Sequence, residues 1–275
     1  MSELITDAML TRLSEVGALP RGRDLYEGEG TDFYERLVGP DRAEIREMLA
    51  LARLAAGPVL DLAAGSGRLT IPLVRSGKRV TAVDLSDDML SHLRRALPEH
   101  SAVDCVVADM RDFELETRYE LIIIGATSIT LLDREGRSLL YANVQRHLAP
   151  GGVFAFTVAA GASAGSLALP VEQEITVAGP DGDEIYLFSQ QVDADGTARL
   201  VNWVRASDLA RGAVATVLTS RLQLLSRESL STELVGAGFA QPAVSPVRTH
   251  QGDEILLLTT SWKGIVARAD DHASA

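Results

Sequence analysis

A chain of 275 residues, 46% hydrophobic and 23% charged, has the material for one large globular domain, or for one carrying an insertion, with a sizeable core. Its formal net charge of −12 argues against a nucleic-acid partner, which wants a basic face. The single cysteine, Cys105, excludes an internal disulfide framework and a multi-cysteine zinc centre, and no metal site is expected.

The N-terminus, MSELITDAMLTRL, carries acids early and has no basic region ahead of an apolar one, so it does not read as a secretory leader. No apolar run approaches the roughly 20 residues of a membrane helix. The expected compartment is therefore the cytoplasm, with no membrane partner. Met1–Leu19 and Asp41–Ala55 read as amphipathic helices; between them Tyr26, Phe33 and Tyr34 lie among Glu27, Glu29 and Asp32.

Four apolar runs follow: Gly57–Leu62, Arg79–Val83, Val103–Val107 and Glu120–Ile124. A fifth, Gly152–Val158, comes after the turn Ala149-Pro150-Gly151-Gly152. They are rich in Val, Ile and Leu without polar alternation, as parallel strands buried on both faces are. Helical patterns at Leu69–Ser76, Asp87–Leu97 and Arg134–His147 separate them, and Ser86-Asp87-Asp88 is an N-cap signal. Alternating strands and helices predict a doubly wound α/β sheet.

After Val158 the character changes. Ala159–Ala168 is small and flexible. Glu174–Val177, Glu184–Val192, Ala198–Ala206 and Ala213–Leu224 then predict an antiparallel meander, with tight turns at Gly179–Asp183 and Asp193–Gly196. A helix over Arg227–Ala237 and a closing hairpin, Ala243–Arg248 with Glu254–Trp262, complete the chain. The expected division is a helical lid at 1–56, the sheet domain at 57–160 and 226–266, an antiparallel cap at 165–225 and a frayed tail at 267–275.

Chemistry concentrates where the strands end. Asp61-Leu62-Ala63-Ala64-Gly65-Ser66-Gly67 links a strand to a helix, and Gly65 and Gly67 leave room for a ligand to approach the backbone. Asp84 ends the next strand, where a carboxylate can accept from both hydroxyls of a ribose; Asp109 ends the third, within reach of an adenine amino group. A nicotinamide-binding protein is the main rival, but Gly65-Ser66-Gly67-Arg68-Leu69-Thr70 does not complete the G-x-G-x-x-G spacing.

Val59–Leu69 resembles motif I of class I S-adenosylmethionine-dependent methyltransferases. Val83-Asp84-Leu85-Ser86 with Met89-Leu90 resembles their second motif, Ala108–Arg111 their third, and Leu148–Gly152 the turn before their fifth strand. The chain departs at Ala63, where the family often has glycine. The resemblance implies a mostly parallel seven-stranded Rossmann-like sheet, with the β insertion forming a substrate cap, and S-adenosylmethionine as cofactor. It implies that Asp61 holds the methionine amino group, that Ala63, Gly65 and Gly67 line the cofactor, and that Asp84 binds the ribose. Leu85 and Met89 would flank the adenine, Asp109 and Met110 fix its edge, and Ala126 and Thr127 face the sulfonium. Phe33 and Tyr34 would close over the cofactor, and Tyr26 over the substrate.

The acceptor is less legible. A hydroxyl usually needs a general base, often histidine, whereas an amine needs only to be deprotonated and held. His92, His100 and His147 lie at helix or helix-end positions; Tyr26, Tyr34 and His250 are the catalytic candidates. The Asn-Pro-Pro-Tyr type of motif is absent after the fourth strand, which reads Gly125-Ala126-Thr127-Ser128. The expectation is N-methylation of a small molecule or peptide natural product, with Ser128, Tyr186, Trp203 and Arg205 as substrate contacts. Methylation of a hydroxyl or carboxylate, and a non-catalytic binding module, stay open. The layout also resembles natural-product methyltransferases, including those acting on the C-terminal amine of daptide-type ribosomal peptides. A homodimer is left open.

Overall fold

The computed structural model describes residues 2–38, 42–98, 101–247 and 254–262. Helix α1 (Asp7–Val16) starts at Thr6, whose hydroxyl accepts from the Met9 N–H, and stops at Gly17, whose N–H closes on the Leu13 and Ser14 carbonyls. The helix expected over Met1–Leu19 is thus confined to its middle. Strand β1 (Leu19–Asp24) follows, in a Pro-Arg-Gly-Arg segment that carries no strand signal of its own. Pro20 has no N–H to donate, and β1 is accordingly an edge strand. Helices α2 (Glu29–Val38) and α3 (Ile45–Leu54) come next.

The alternating region gives β2 (Val59–Leu62), α4 (Thr70–Arg75), β3 (Val80–Asp84), α5 (Asp87–Ala96), β4 (Val103–Val107) and β5 (Tyr119–Ile124). Helix α6 (Arg134–His147) and β6 (Leu148–Ala159) continue it. The small-residue run expected to be loose contains a short helix, α7 (Gly161–Leu167). The meander is β7 (Val171–Gly179), β8 (Gly182–Val192), β9 (Ala198–Arg205) and β10 (Val214–Gln223), its first strand longer than expected. Helix α8 (Arg227–Gly236) and the antiparallel pair β11 (Ala243–Val247) and β12 (Ile255–Ser261) close the described chain.

Two sheets result. The larger has seven strands in the order β11-β12-β6-β5-β2-β3-β4. β2 pairs in parallel with β3 on one side and β5 on the other, and β12 runs antiparallel to β6. The order reverses beside β2, so a crevice opens at the carboxyl ends of β2, β3 and β5. Strand alternation divides the core. Leu60, Leu62, Ile122 and Ile124 pack with Leu140 and Val144 of α6 and Leu230 and Leu234 of α8. Val59, Leu121 and Ile123 pack with Met48 and Ala52 of α3 and Leu73 of α4.

The smaller sheet has the order β1-β10-β9-β8-β7, with β1 parallel to β10 from Leu19↔Val214 to Asp24↔Thr219. Met9 and Leu13 of α1 cover one face, against Leu187, Val204 and Val217. Phe33 of α2 covers the other, against Tyr186 and Trp203. Thr6 anchors α1: its N–H donates to Asn202 Oδ1 at 2.6 Å and its hydroxyl lies 2.6 Å from that of Ser189. The first turn of the chain is thereby tied to the meander.

Candidate cofactor and substrate site

The loop after β2 supplies backbone to the crevice. A Cβ built on Gly65 would meet nothing within 4 Å, so this position is open to a ligand. Gly67 does a different job: a Cβ there would lie 2.3 Å from Leu93 Cδ1, and φ is +96°. It permits close packing on α5 and does not line the crevice, contrary to expectation. Ala63 sits at φ 52°, in the left-handed region that disfavours side chains. Ala63→Gly is expected to raise stability by about 0.5–1 kcal/mol, strain relief outweighing the added chain entropy, as a small rise in Tm. An unchanged or lower Tm would contradict it.

Asp84, at the tip of β3, organises this loop. Its carboxylate accepts from the Gly65 N–H at 2.7 Å and the Ser86 N–H at 2.9 Å. Burial raises its pKa while the backbone donors pull it down. Asp61, buried at the end of β2, accepts from the Thr70 hydroxyl at 2.6 Å. Burial pushes its carboxyl from the ordinary 3.8 up to about 7, against the Thr70 bond and Arg68. The folded protein then holds a proton that the unfolded chain has lost, so this group's stabilising contribution declines as pH rises from about 4 to 7. Asp61→Asn is expected to flatten that decline, with a gain on the order of 2 kcal/mol at pH 8. Urea melts across pH check it; an unaltered slope refutes the assignment.

One site residue gave no sequence signal. Glu44, the buried N-cap of α3 at φ 58°, sends its carboxylate between Arg68, the Thr157 hydroxyl and the Ala126 N–H, the last at 2.6 Å. In the sequence it is merely an acid ahead of an apolar helix. Folded, it holds the loop after β5, where Ala126 and Thr127 both take left-handed conformations at φ 52° and 56°.

These elements enclose a cleft of about 310 Å³, lined among others by Tyr26, Tyr34, Ala63, Gly65, Asp84 and Met89, with Leu85, Asp109, Met110 and Ser128 also on its wall. A narrower recess of about 50 Å³ shares Tyr34, Ala63, Gly65 and Ser128 with it and reaches Asp61, Arg68 and Ala126. Asp109 is not a free carboxylate: Arg111 Nε lies 2.9 Å from both its oxygens, holding its pKa below the usual range. Any ligand edge there meets an ion pair. Tyr26 and Tyr34 stack edge to face, centroids 5.1 Å apart. Burial raises both phenol pKa values, so at neutral pH they are hydroxyls and not bases.

Other expected contacts are elsewhere. Phe33 is buried against Tyr186 and Trp203, at 4.3 and 5.2 Å between centroids, in the core of the smaller sheet. Arg205 and Arg36 both engage Glu184 and the Tyr186 hydroxyl. None of Phe33, Tyr186, Trp203 and Arg205 lines either cavity, because a two-faced sheet buries its aromatics under α2. Thr127 lies on a neighbouring cleft. His250, His100 and the tail 267–275 lie outside the described residues. Among the described residues no cluster of metal-binding side chains occurs.

Residues 59–152 match the methyltransferase domain family. A dTDP-3-amino-3,4,6-trideoxy-alpha-D-glucopyranose N,N-dimethyltransferase of Streptomyces venezuelae is 28% identical over 129 residues, 46% of this chain and 51% of that protein. The cypemycin N-terminal methyltransferase of a Streptomyces species is 27% identical over 125 residues, 45% and 51% of the two chains. The chain spans about half the length of these curated relatives. The likeness to the glycopeptide N-methyltransferase MtfA, solved with S-adenosyl-L-homocysteine, is nearly end to end: 29% identity, TM-score 0.62, covering 94% of this chain and 98% of that one. Residues 59–152 are thus a methyltransferase domain, and the strand order and the likeness to a solved N-methyltransferase support a class I S-adenosylmethionine-dependent methyltransferase.

Proposed function

We propose that this chain transfers a methyl group from S-adenosylmethionine to an amine of a small-molecule or peptide natural product. The observation that carries the reading is a pair of adjoining cavities with a common wall at Tyr34, Ala63, Gly65 and Ser128, one lined by Asp84 and the other by Asp61, at neighbouring strand ends. The residues present fit the cofactor. Asp84 offers a carboxylate to ribose hydroxyls, Met89 and Met110 offer apolar surface to the adenine, and Asp61 in its recess offers a partner to an ammonium group. When bound, the cofactor supplies an electrophilic methyl on a sulfonium. The chain's part is to align the acceptor and keep water out, with Tyr26, Tyr34 and Ser128 walling that end.

The amine reading is supported by what walls the cavity. Its described lining contains no histidine, and its tyrosines are held as hydroxyls; the bases left are carboxylates, of which Asp84 and Asp109 are already engaged by backbone N–H groups and by Arg111, so the usual imidazole for drawing a proton from an alcohol is missing from that lining. An amine arriving as the free base needs no such group. The relatives, an amino-sugar N,N-dimethyltransferase, the cypemycin N-terminal methyltransferase and a glycopeptide N-methyltransferase, support the same choice. The net charge of −12 disfavours nucleic acid as the substrate, and no described helix is long and apolar enough to cross a membrane. A cytoplasmic location belongs to the same proposal.

Labelled S-adenosylmethionine offered with panels of amines, alcohols and carboxylic acids is expected to label amines. Transfer to alcohols or acids alone would make it an O-methyltransferase. Failure of the purified chain to bind S-adenosylhomocysteine in a calorimeter would remove the reading altogether. The same panel separates amino sugars, peptide N-termini and the C-terminal amine of a daptide-type peptide.

A further inference from the structure

The short turn Ser128–Leu131 divides two cavities. Ser128 and Leu131 face the cofactor cleft, while Thr127 and Thr130 face a second cleft of about 240 Å³. That second cleft lies at the carboxyl end of β6, at Val158 and Ala159, under α7 at Leu167, and beside the end of β10 at Leu222. Most of its wall is aliphatic. Among the residues lining it, Arg199 alone is charged.

Arg199 is unusual in this acidic chain. Arg36, Arg137 and Arg221, which also serve the fold, each pair with a carboxylate at 2.5–2.7 Å. No carboxylate lies within 4.0 Å of Arg199 among the described residues, although burial is enough to pull its pKa down. A half-buried charge without a counter-charge is costly and needs a reason. One of its donors is taken: Nη1 donates to Gln190 Oε1 at 2.8 Å. Gln190 is fixed in turn, its amide donating to the carbonyls of Ser166 at 3.1 Å and Leu169 at 2.8 Å. The guanidinium is therefore oriented by a built hydrogen-bond chain, with no further acceptor for its remaining donors among the described residues. It also stands close enough to Tyr26, on the wall of the cofactor cleft, to influence that phenol electrostatically.

We propose that Arg199 receives a carboxylate of the methyl acceptor, so that the substrates are apolar amines carrying an acid: an aliphatic amino acid or a short peptide with a free C-terminus. This rests on the N-methyltransferase reading above. The guanidinium fork takes the acid, the aliphatic wall takes the side chain, and the acceptor reaches past the turn beside Tyr26 so that its amine enters the cofactor cleft. A C-terminal amine of the daptide type has no carboxylate at that end, so the acceptor amine falls at the other end of a peptide.

The test compares leucine and leucyl-leucine with their C-terminal amides, titrated calorimetrically into the full chain saturated with S-adenosylhomocysteine. The acids are expected to bind at least ten times more tightly than the amides. Arg199→Gln is expected to abolish that difference while S-adenosylhomocysteine affinity stays within twofold, showing an intact cofactor site. Arg199→Lys, which keeps the charge and loses the fork, is expected to fall between. Equal affinity for acids and amides in the unaltered chain, or binding of neither, overturns the proposal without touching the methyltransferase reading. Absence of S-adenosylhomocysteine binding brings down both.

Discussion

Glu44→Ala is expected to lower the melting temperature by roughly 6–20 °C, the consequence of about 3–5 kcal/mol lost when one partner of a buried ion pair is removed. Three groups use this one carboxylate: the Arg68 guanidinium, the Thr157 hydroxyl and the Ala126 N–H. Glu44 is 2% exposed, so water does not replace it readily. Its loss also frees the loop after β5, in which Ala126 and Thr127 are held against their conformational preference. Glu44→Gln, which keeps an acceptor for Ala126 but not the charge facing Arg68, is expected to cost less than the alanine. Calorimetric melts of the three proteins decide it: a drop under 2 °C for the alanine variant would mean that Glu44 is dispensable.

Asp84→Ala is expected to weaken S-adenosylhomocysteine binding by about a hundredfold. Two hydrogen bonds from ribose hydroxyls to a carboxylate are together worth about 3 kcal/mol, and tenfold in affinity corresponds to about 1.4 kcal/mol. The same carboxylate ties Gly65 to Ser86, so the variant also loosens the loop that carries the open backbone position. Asp84→Asn retains one acceptor and is expected to lose less affinity. The comparison separates the two roles: if ribose recognition dominates, affinity falls far more than thermal stability. Binding within threefold of the unaltered chain would show that the nucleoside does not lie where the strand tips suggest.

Much of the larger sheet was legible in the sequence because its causes are local. Strands buried on both faces are largely apolar, as Leu121–Ile124 is throughout and Val59–Leu62 is apart from Asp61, and the intervening helices announce themselves by caps such as Ser86. The turns Gly179–Gly182 and Asp193–Gly196 depend on a few adjacent residues, and the structure places hairpin connections at both. Asp61, Asp84 and Gly65 were legible for the same reason, each being tied to the end of a strand or the turn beyond it.

What only the tertiary structure decided depends on partners far apart in the chain. β1 is a strand because β10, nearly two hundred positions later, offers a ladder to a segment of weak propensity. Phe33, Tyr186 and Trp203 look like binding aromatics in sequence, yet α2 and the meander turn them into a core. Glu44 and Arg199 are ordinary charged residues until the fold sets one against the Ala126 loop and turns the other to a cleft with no acid beside it among the described residues. Short-range patterning specifies where strands and turns begin, whereas the solvation and pairing of a charge are fixed only once distant surfaces have closed around it.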